Sequence, residues 1–268
     1  MTGPDPDRDA LADLALAMAE RAATALVAGL GERRTAVDTK TSPTDMVTDM
    51  DRAAERIITE GLLDARPDDG ILGEEGTDRA GRSGVRWIVD PLDGTTNYLY
   101  GHAGFAVSIA AEQGGRVVAG AVVDPMHGDA FRAVLGGGAT RNGDPVRCSE
   151  VADPAVALVA TGFSYEPERR ARQAAVLTQV LPRIRDIRRV GAAAVDLCSV
   201  ACGRVDAFWE KGLAPWDHAA GALIAAEAGA RVGDLGGGPP STAFTLAAPP
   251  ALFEALAELL RSAGAADA

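Results

Sequence analysis

Cysteine and positive charge are both scarce in this sequence. Only three cysteines occur among 268 residues, so they cannot all pair within the chain. Cys198 and Cys202 stand one helical turn apart, and no second cluster completes a zinc site. We therefore expect small, buried cysteines and a reducing, cytoplasmic location. The net charge of −12 leaves no excess of Lys and Arg, which argues against binding to nucleic acids or membrane surfaces.

Several common signatures are also missing. The first residues lack the charged-then-apolar pattern of a secretory signal, and the Ala- and Leu-rich residues 11–30 carry three charges, unlike a membrane span. The sequence contains neither a Walker A motif nor a dinucleotide fingerprint, and it has no Ser/His/Asp arrangement with a nucleophile elbow. His102 and His127 have no partner at metal-ligand spacing. The acidic residues are therefore the main candidates for chemistry.

The most informative segment covers residues 87–97. Its apolar run predicts a buried strand that ends at Asp90, and Pro91 and Gly94 predict a tight turn. The turn brings Asp90 and Asp93 together, where like charges repel unless a cation lies between them. Residues 95–97 can begin a helix, and the free backbone N–H groups at its N-terminus can bind an anion. Together these features indicate metal-dependent phosphate chemistry.

Other acidic segments have two interpretations each. Glu74 and Glu75 follow a strand-like run, Asp217 stands at the start of a predicted helix, and Asp45 and Asp51 precede another. Each pattern is also typical of ordinary structure: a solvated loop, a helix N-cap and a polar helix entry, respectively. Taken singly, these residues leave both interpretations open.

Hydrophobic periodicity predicts the order of elements. Helical spacing covers residues 8–30, 49–65, 167–181, 193–202, 217–228 and 250–262. A short run covers residues 70–76, and strand-like runs cover residues 105–111, 117–123, 130–135, 156–161, 187–190 and 205–209. Closely spaced runs in the first half predict an antiparallel meander, and alternation in the second predicts helices on a largely parallel or mixed sheet. Residues 31–44 are interpreted as a polar linker, residues 136–143 as a turn region and residues 236–240 as a loop.

The change of pattern near residue 150 predicts two domains. Residues 1–150 would form an N-terminal α+β domain with most of the acidic motifs, and residues 151–268 a C-terminal α/β domain. We expect the ligand site in the cleft between them, where such sites are common.

The order of the acidic motifs along the chain is informative. Residues 73–75, 90–97 and 216–221 together resemble the inositol monophosphatase family of metal-dependent phosphatases. Residues 45–51 look like its upstream motif, and residues 191–197 resemble its substrate-side segment. The resemblance implies a layered αβαβα sandwich of the sugar-phosphatase type, with metals between two domains, and a homodimer. Two positions depart from the family pattern: Tyr98, where Phe is usual, and Ala192, where Ser or Thr is common.

The resemblance also implies Mg²⁺ as the cofactor. Carried over by position, Glu74, Asp90 and the backbone carbonyl of Leu92 would hold a first ion, and Asp90, Asp93 and Asp217 a second. A third, weaker ion would touch Glu74. Mg²⁺ is a hard cation that prefers oxygen ligands, so the residue types agree with this assignment. Sensitivity to lithium is a further expectation, since Li⁺ could replace Mg²⁺ at the weaker site.

The implied mechanism is hydrolysis by a metal-activated water. Thr95 and Glu74 would orient that water and take its proton, while Asp51 holds Thr95. The backbone N–H groups of Gly94 and Thr95 would bind phosphate oxygens. Lys40 could add positive charge nearby, although a single Lys in a linker is more often just solvated.

For the substrate, the resemblance implies inositol 1-phosphate. The expected contacts include Glu210 to the sugar-like hydroxyls and Ala193 through its small side chain and backbone, besides Asp93, Gly94, Thr95 and Asp217. Asp196 is interpreted as an internal hydrogen-bonding residue of its helix, and His218 as structural.

Two alternatives stay open. One is a related phosphatase that acts on fructose 1,6-bisphosphate, histidinol phosphate or a nucleotide 3′-phosphate, with the same metal motifs and a different cleft lining. The other is a non-catalytic interaction protein that uses the same fold as a docking surface.

Overall fold

The computed structural model describes residues 8–30, 37–39 and 46–268, with only the backbone course given for 37–39 and 46–48. Lys40 and Asp45 lie outside the described residues, as does most of the predicted linker. The helices are α1 (Arg8–Gly29), α2 (Asp49–Ala65), α3 (Thr95–Tyr100), α4 (Pro167–Val180), α5 (Ala193–Ala201), α6 (Pro215–Glu227) and α7 (Pro250–Ser262).

Fifteen strands are seen in the described residues, in three sheets. They are β1 (Val37–Thr39), β2 (Met46–Thr48), β3 (Gly70–Gly73), β4 (Asp78–Arg79), β5 (Val85–Asp93), β6 (Ala106–Gln113), β7 (Arg116–Asp124), β8 (Asp129–Val134), β9 (Gly138–Arg141), β10 (Asp144–Pro145), β11 (Leu158–Thr161), β12 (Asp186–Arg188), β13 (Ala207–Glu210), β14 (Arg231–Gly233) and β15 (Thr245–Ala248). β1 pairs antiparallel with β2, so part of the predicted linker is a strand.

The larger sheet has the order β10-β9-β8-β7-β6-β5-β3-β4. From β5 to β10 each strand pairs antiparallel with the next, which confirms the predicted meander. β3 lies parallel to β5 on the other side, so the ends of these two strands meet at one edge. Residues 138–141, predicted as part of a turn region, instead form β9, because that segment pairs with β8 before turning at residues 142–143.

The smaller sheet has the order β12-β11-β13-β15-β14. β11 is parallel to both β12 and β13, whereas β15 is antiparallel to β13 and β14. The prediction of a mixed sheet is therefore confirmed, although β14 and β15 themselves were not predicted. β13 also begins two residues later than expected and ends at Glu210, which places that side chain at the end of a central strand.

Alternating side chains connect the layers. In β5, Trp87 and Val89 join the apolar core formed with α1 and α2, while Ile88 points into a second core with α5 and α6. In β13, Phe208 enters that second core, and Trp209 enters a third core with α4 and α7. The order of layers is therefore helix, sheet, helix, sheet, helix, which confirms the αβαβα sandwich.

The central helix layer explains how the two sheets share one site. All nine residues of α5 are buried, because a sheet lies on each side of the helix. α5 and α6 begin beside the end of β5, where the acidic motifs lie. The domain boundary near residue 150 stays a prediction. No helix in the described ranges is long and apolar enough to cross a membrane.

Candidate active site

A cavity of about 450 Å³ lies where β5, α3, α5, β13 and α6 meet. Its wall includes nine of the ten predicted site residues: Glu74, Asp90, Leu92, Asp93, Gly94, Thr95, Ala193, Glu210 and Asp217. The tenth, Asp51, lies behind the wall and contacts Thr95. Residues from both halves of the sequence therefore converge on one space.

The sequence predicted that this strand would end at Asp90, but β5 extends further. It continues through Pro91 to Asp93, with a register shift between Asp90 and Asp93 where it pairs with β6. This bulge accommodates Pro91, which has no N–H to donate to the neighbouring strand, and it changes the direction of the side chains beside it. Oδ1 of Asp90 accepts a hydrogen bond from the backbone N–H of Leu92 at 3.0 Å. The bulge thus fixes the orientation of the buried Asp90 carboxylate.

The turn follows at Gly94, and the predicted helix α3 begins at Thr95. Gly94 has a φ of 88°, and a Cβ atom there would lie 2.9 Å from the carbonyl oxygen of Gly104. Glycine is therefore needed for both backbone conformation and close approach. The Thr95 hydroxyl lies 3.1 Å from both Oδ1 of Asp51 and the carbonyl oxygen of Leu92. Since a hydroxyl donates one hydrogen, these acceptors compete for it.

Two further carboxylates are held by helix N-termini. Oδ2 of Asp93 accepts a hydrogen bond from the Ala194 N–H in the first turn of α5, at 2.7 Å. Oδ2 of Asp217 accepts one from the Ala214 N–H, also at 2.7 Å, at the start of α6. Asp217 is thus the third residue of its helix rather than the N-cap, because the helix begins at Pro215. Backbone N–H groups at helix N-termini therefore help to orient both carboxylates.

Glu74 is positioned by a residue that the sequence did not reveal. Glu55, on α2 and only 5% exposed, accepts hydrogen bonds from the backbone N–H of Glu75 at 2.8 Å and of Thr77 at 3.2 Å. It also accepts one from the Thr77 hydroxyl at 2.6 Å. Gly73 makes room for this, since a Cβ atom there would lie 2.5 Å from Glu55 Oε2. The Glu55 carboxylate therefore organises the turn that carries Glu74.

The acidic residues strongly affect one another. Burial raises the pKa of Asp90 well above its usual value, and the charges of Glu74, Asp93 and Asp217 raise it further. Burial also raises the pKa of Asp93 to about 7, although the backbone N–H groups of Ala194 and Ala193 act in the opposite direction. Positive charge nearby would therefore favour the ionised form of these carboxylates.

The donor chemistry fits a hard divalent cation. The carboxylates of Glu74, Asp90, Asp93 and Asp217 and the carbonyl of Leu92 are all oxygen donors at one wall. Among the residues that the structure describes, no three His, Cys, Asp or Glu side chains are placed so that they could already hold an ion together.

Glu210 also lines the cavity, and a Cβ atom at Gly162 would collide with its carboxyl group. Burial raises its pKa to about 8, Asp217 adds to this rise, and Arg189 and Arg169 oppose it. The Glu210 carboxyl can form hydrogen bonds with hydroxyl groups in both protonation states, since the neutral form donates and accepts and the ionised form accepts. Ala193 lies on the same wall, as predicted.

Asp196 does not fulfil its prediction. Among the residues that the structure describes, neither of its carboxylate oxygens has a hydrogen-bond partner, although the residue is 1% exposed. The reason is its place on α5, a helix enclosed by apolar residues of both sheets. Burial accordingly raises its pKa well above the usual value. His218 lies in the first turn of α6, and its buried Nδ1 has no hydrogen-bond partner in the described part of the chain. Burial lowers its pKa.

Asn97 is a second residue whose role was not predicted. Its Nδ2 group donates to the carbonyl of Gly104 at 2.7 Å and to that of Val190 at 2.9 Å. It thereby ties α3 to the segment that leads into α5, across the cavity. The neighbouring Tyr98 uses its additional hydroxyl to donate to the carbonyl of Leu26 in α1, at 2.9 Å. This departure from the family pattern therefore lies away from the cavity.

The family assignment follows from comparison with known proteins. The model of the inositol monophosphatase family matches residues 7–265. The chain belongs to the inositol monophosphatase family. An inositol-1-monophosphatase of Mycobacterium bovis is 45% identical over 250 residues, which cover 87% of this chain and 86% of that protein. The predicted family is confirmed.

Other relatives carry a different name. A protein of Pasteurella multocida named Nus factor SuhB is 40% identical over 84% of this chain and 85% of its own length. Among solved structures, the extragenic suppressor protein suhB from Bartonella henselae is 39% identical, with a TM-score of 0.90 over 94% of this chain and 98% of that one. The family fold is thus shared by proteins with more than one kind of name.

Proposed function

We propose that this protein is a Mg²⁺-dependent phosphatase that hydrolyses inositol 1-phosphate. The observation that carries the proposal is the convergence of Asp90, Asp93, Asp217 and Glu74 on one cavity wall, beside the Thr95–Asp51 pair. Carboxylates for a cation and a hydroxyl held by a buried carboxylate are the parts that hydrolysis of a phosphate monoester requires.

Glu74, Asp90 and the carbonyl of Leu92 would hold one Mg²⁺, and Asp90, Asp93 and Asp217 a second. When bound, these ions supply positive charge that promotes deprotonation of water and stabilises the leaving alkoxide. Burial, and after it the charges of the neighbouring carboxylates, raise the pKa of Asp90; this supports the proposal, because a bound cation would favour the ionised form.

The protein's own residues position the attacking water. The Thr95 hydroxyl, which lies 3.1 Å from Asp51, would accept a hydrogen bond from that water while donating to the Asp51 carboxylate. Glu74 would take the proton as the water oxygen bonds to phosphorus and the ester P–O bond breaks. The leaving oxygen would take a proton from a second water while Glu74 returns its proton to solvent, so the products are the free alcohol and inorganic phosphate. The N–H groups of Gly94 and Thr95 would hold phosphate oxygens.

Glu210 would recognise the alcohol. It lines the same cavity as Glu74, and hydrogen bonds to ring hydroxyls suit its buried carboxyl group. Ala193 leaves room for a ring beside it. The name of the Mycobacterium bovis relative, inositol-1-monophosphatase, supports the choice of substrate.

We extend the proposal to assembly and inhibition. The protein would act as a homodimer in the cytoplasm, and Li⁺ would inhibit it by replacing Mg²⁺ at the weaker site.

A substrate panel tests the proposal. Phosphate release is measured from inositol 1-phosphate, fructose 1,6-bisphosphate, histidinol phosphate and adenosine 3′,5′-bisphosphate, each with Mg²⁺, with EDTA and with added Li⁺. We expect Mg²⁺-dependent, Li⁺-sensitive release with inositol 1-phosphate among the best substrates. Release led only by another ester would keep the mechanism and replace the substrate; no release at all would contradict the proposal.

The second candidate is a role in a transcription complex, which the name Nus factor SuhB of the Pasteurella multocida relative supports. The complete set of cavity carboxylates favours catalysis over this role. Asp93→Asn separates the two, since a docking surface outside the cavity should survive the substitution. Stoichiometric binding to purified transcription proteins by both wild type and variant would support it.

A further inference from the structure

Two buried polar side chains near the cavity lack hydrogen-bond partners among the described residues. Asp196, on α5, is 1% exposed, and Thr245, the first residue of β15, is 0% exposed. Neither carboxylate oxygen of Asp196 makes a hydrogen bond within the described part of the chain, and neither does Oγ1 of Thr245. Most buried polar groups in folded proteins bind another protein group or an ordered water, so both side chains require an explanation.

The pairing of β13 with β15 places Thr245 beside Glu210. The two strands are antiparallel, and Thr245 lies directly opposite Glu210 in their register. Side chains at directly opposite positions lie on the same face of a sheet. Phe208 and Ala247, each two residues away along its strand, belong to the second core, which includes α5. Glu210 and Thr245 therefore face α5 from neighbouring strands.

Asp196 approaches the same face from α5. That helix packs against both β13 and β15. Burial is the largest cause of the raised pKa of Asp196, and the charge of Glu210 is the next, ahead of that of Asp93. Because such effects weaken with distance, the Asp196 carboxyl lies close to that of Glu210. Of Asp196, Thr245 and Glu210, only Glu210 lines the cavity, so the two unpartnered side chains lie behind it.

We propose that Asp196 and Thr245 are positioning residues, which orient the Glu210 carboxyl through one buried water held behind the cavity wall. The inference rests on the proposed function, in which Glu210 recognises the hydroxyl groups of the substrate. A water can donate to the carboxyl groups of Asp196 and Glu210 while it accepts from the Thr245 hydroxyl. Buried waters typically make about three such bonds to groups that have no other partner. One water therefore satisfies both unpartnered side chains and fixes the direction of Glu210.

The test compares inositol 1-phosphate with 4-nitrophenyl phosphate, whose ring carries no hydroxyl groups. Asp196→Leu and Thr245→Val remove the polar atoms at similar volume, so a merely structural role predicts little change in the preference for inositol 1-phosphate. We expect each variant to lower the ratio of the two kcat/KM values by roughly 5- to 20-fold, through a higher KM for inositol 1-phosphate. Asp196→Asn and Thr245→Ser, which keep hydrogen-bonding groups, should retain most of the preference.

Thr59→Val is the matched control. Thr59 also has a buried Oγ1 without a partner in the described part of the chain, but it lies on α2 and does not line the cavity. Its substitution should leave the ratio unchanged. An equal fall of the ratio in this control would overturn the inference.

A double-mutant cycle tests whether Asp196 acts through Glu210. Glu210→Gln should itself lower the ratio, and adding Asp196→Leu should lower it little further, because the two residues act as one unit. A further fall as large as in the wild-type background would overturn the inference. If Glu210→Gln keeps the ratio of wild type, the inference is likewise overturned, while the phosphatase stands. Should Asp196→Leu fail to fold, Thr245→Val completes the same cycle.

Crystal structures of wild type and Thr245→Val test the site independently of activity. An ordered water within hydrogen-bond distance of Asp196, Thr245 and Glu210 in wild type, together with a Glu210 carboxyl that turns in the variant, would support the inference. A dry site, or a carboxyl that keeps its orientation, would overturn it. This measurement still decides if wild type hydrolyses neither ester, a result that by itself would contradict only the proposed function.

Discussion

Oδ2 of Asp93 accepts a hydrogen bond from the backbone N–H of Ala194 at 2.7 Å, although the two residues are 101 positions apart in the sequence. This contact joins the end of β5 to the start of α5 and so connects the larger sheet to the central helix layer. It also gives the carboxylate two tasks at once, a structural one at the helix N-terminus and a proposed one in the cavity.

The two tasks of Asp93 can be separated by a pair of substitutions. Asp93→Asn keeps an oxygen that can accept from Ala194 and removes a charge that repels its acidic neighbours. We therefore expect an unchanged or higher Tm in metal-free buffer. Asp93→Ala also removes the acceptor, and should lower the free energy of unfolding by about 1 kcal/mol relative to the Asn variant. Thermal and urea unfolding of both variants measure this; equal stability of the two would contradict the capping role.

The Glu55 carboxylate should control the turn that carries Glu74. Glu55→Gln replaces one acceptor oxygen with an N–H₂ group facing backbone and hydroxyl donors, so we expect a loss of about 1–3 kcal/mol in the free energy of unfolding. Weaker Mg²⁺ binding by calorimetry should accompany it, since Glu74 would be less well placed. Glu60→Gln, at an exposed position of the same helix, is the control and should change neither quantity. Normal Mg²⁺ affinity in the Glu55 variant would contradict the positioning role.

The raised pKa values of Asp93, about 7, and Glu210, about 8, make stability depend on pH. Since the folded-state pKa values exceed the unfolded values of about 4, folding favours the protonated groups. Their contribution is complete below about pH 4 and is lost as pH rises through 7 to 8. We expect the Tm of metal-free protein to fall between pH 5 and 9, and this fall to be smaller in Asp93→Asn.

Added Mg²⁺ provides the control for that pH series. The ion binds ionised carboxylates, so it should raise the Tm more at pH 8 than at pH 5. A Tm of metal-free protein that stays constant or rises over the same range in wild type would show that these carboxyls are not buried as described.

Asn97 should couple the two sides of the cavity. Asn97→Ala leaves the carbonyls of Gly104 and Val190 without their donor, and we expect a loss of about 1–3 kcal/mol in the free energy of unfolding. Because the segment with Val190 leads directly into α5, kcat should also fall. Asn142→Ala, which removes a comparable amide from an exposed turn outside the cavity, tests whether the effect on kcat is specific. An equal loss of kcat in both variants would argue against the coupling.

Much of the site followed from local sequence. The segment from Asp90 to Asn97 combines strand, turn and helix signals within eight residues, and the structure places Asp90, Asp93 and Thr95 on the cavity wall. The α2 boundaries, residues 49–65, agree with the prediction because that helix has a continuous apolar stripe. The fold class followed from the resemblance rather than from any single pattern.

Other features depend on contacts between distant segments and left no local signal. The sequence around Glu55 has the pattern of an ordinary helix surface, and its partners Glu75 and Thr77 are some 20 residues away. β15 is a short apolar run beside prolines, and only its pairing with β13 and β14 makes it a strand. Asp196 was expected to find a partner in its own helix, and the enclosure of α5 by two sheets left it none. Tertiary context decided all three.

The most direct test of the central claim is phosphate release from inositol 1-phosphate by wild type and Asp93→Asn, each with Mg²⁺ or with EDTA. The proposed site predicts turnover by wild type with Mg²⁺, none with EDTA, and a loss of at least about 100-fold in kcat/KM in the variant, which should still unfold cooperatively. Undiminished turnover by Asp93→Asn, or turnover by wild type in EDTA, would contradict the assignment of the cavity carboxylates to metal-dependent hydrolysis.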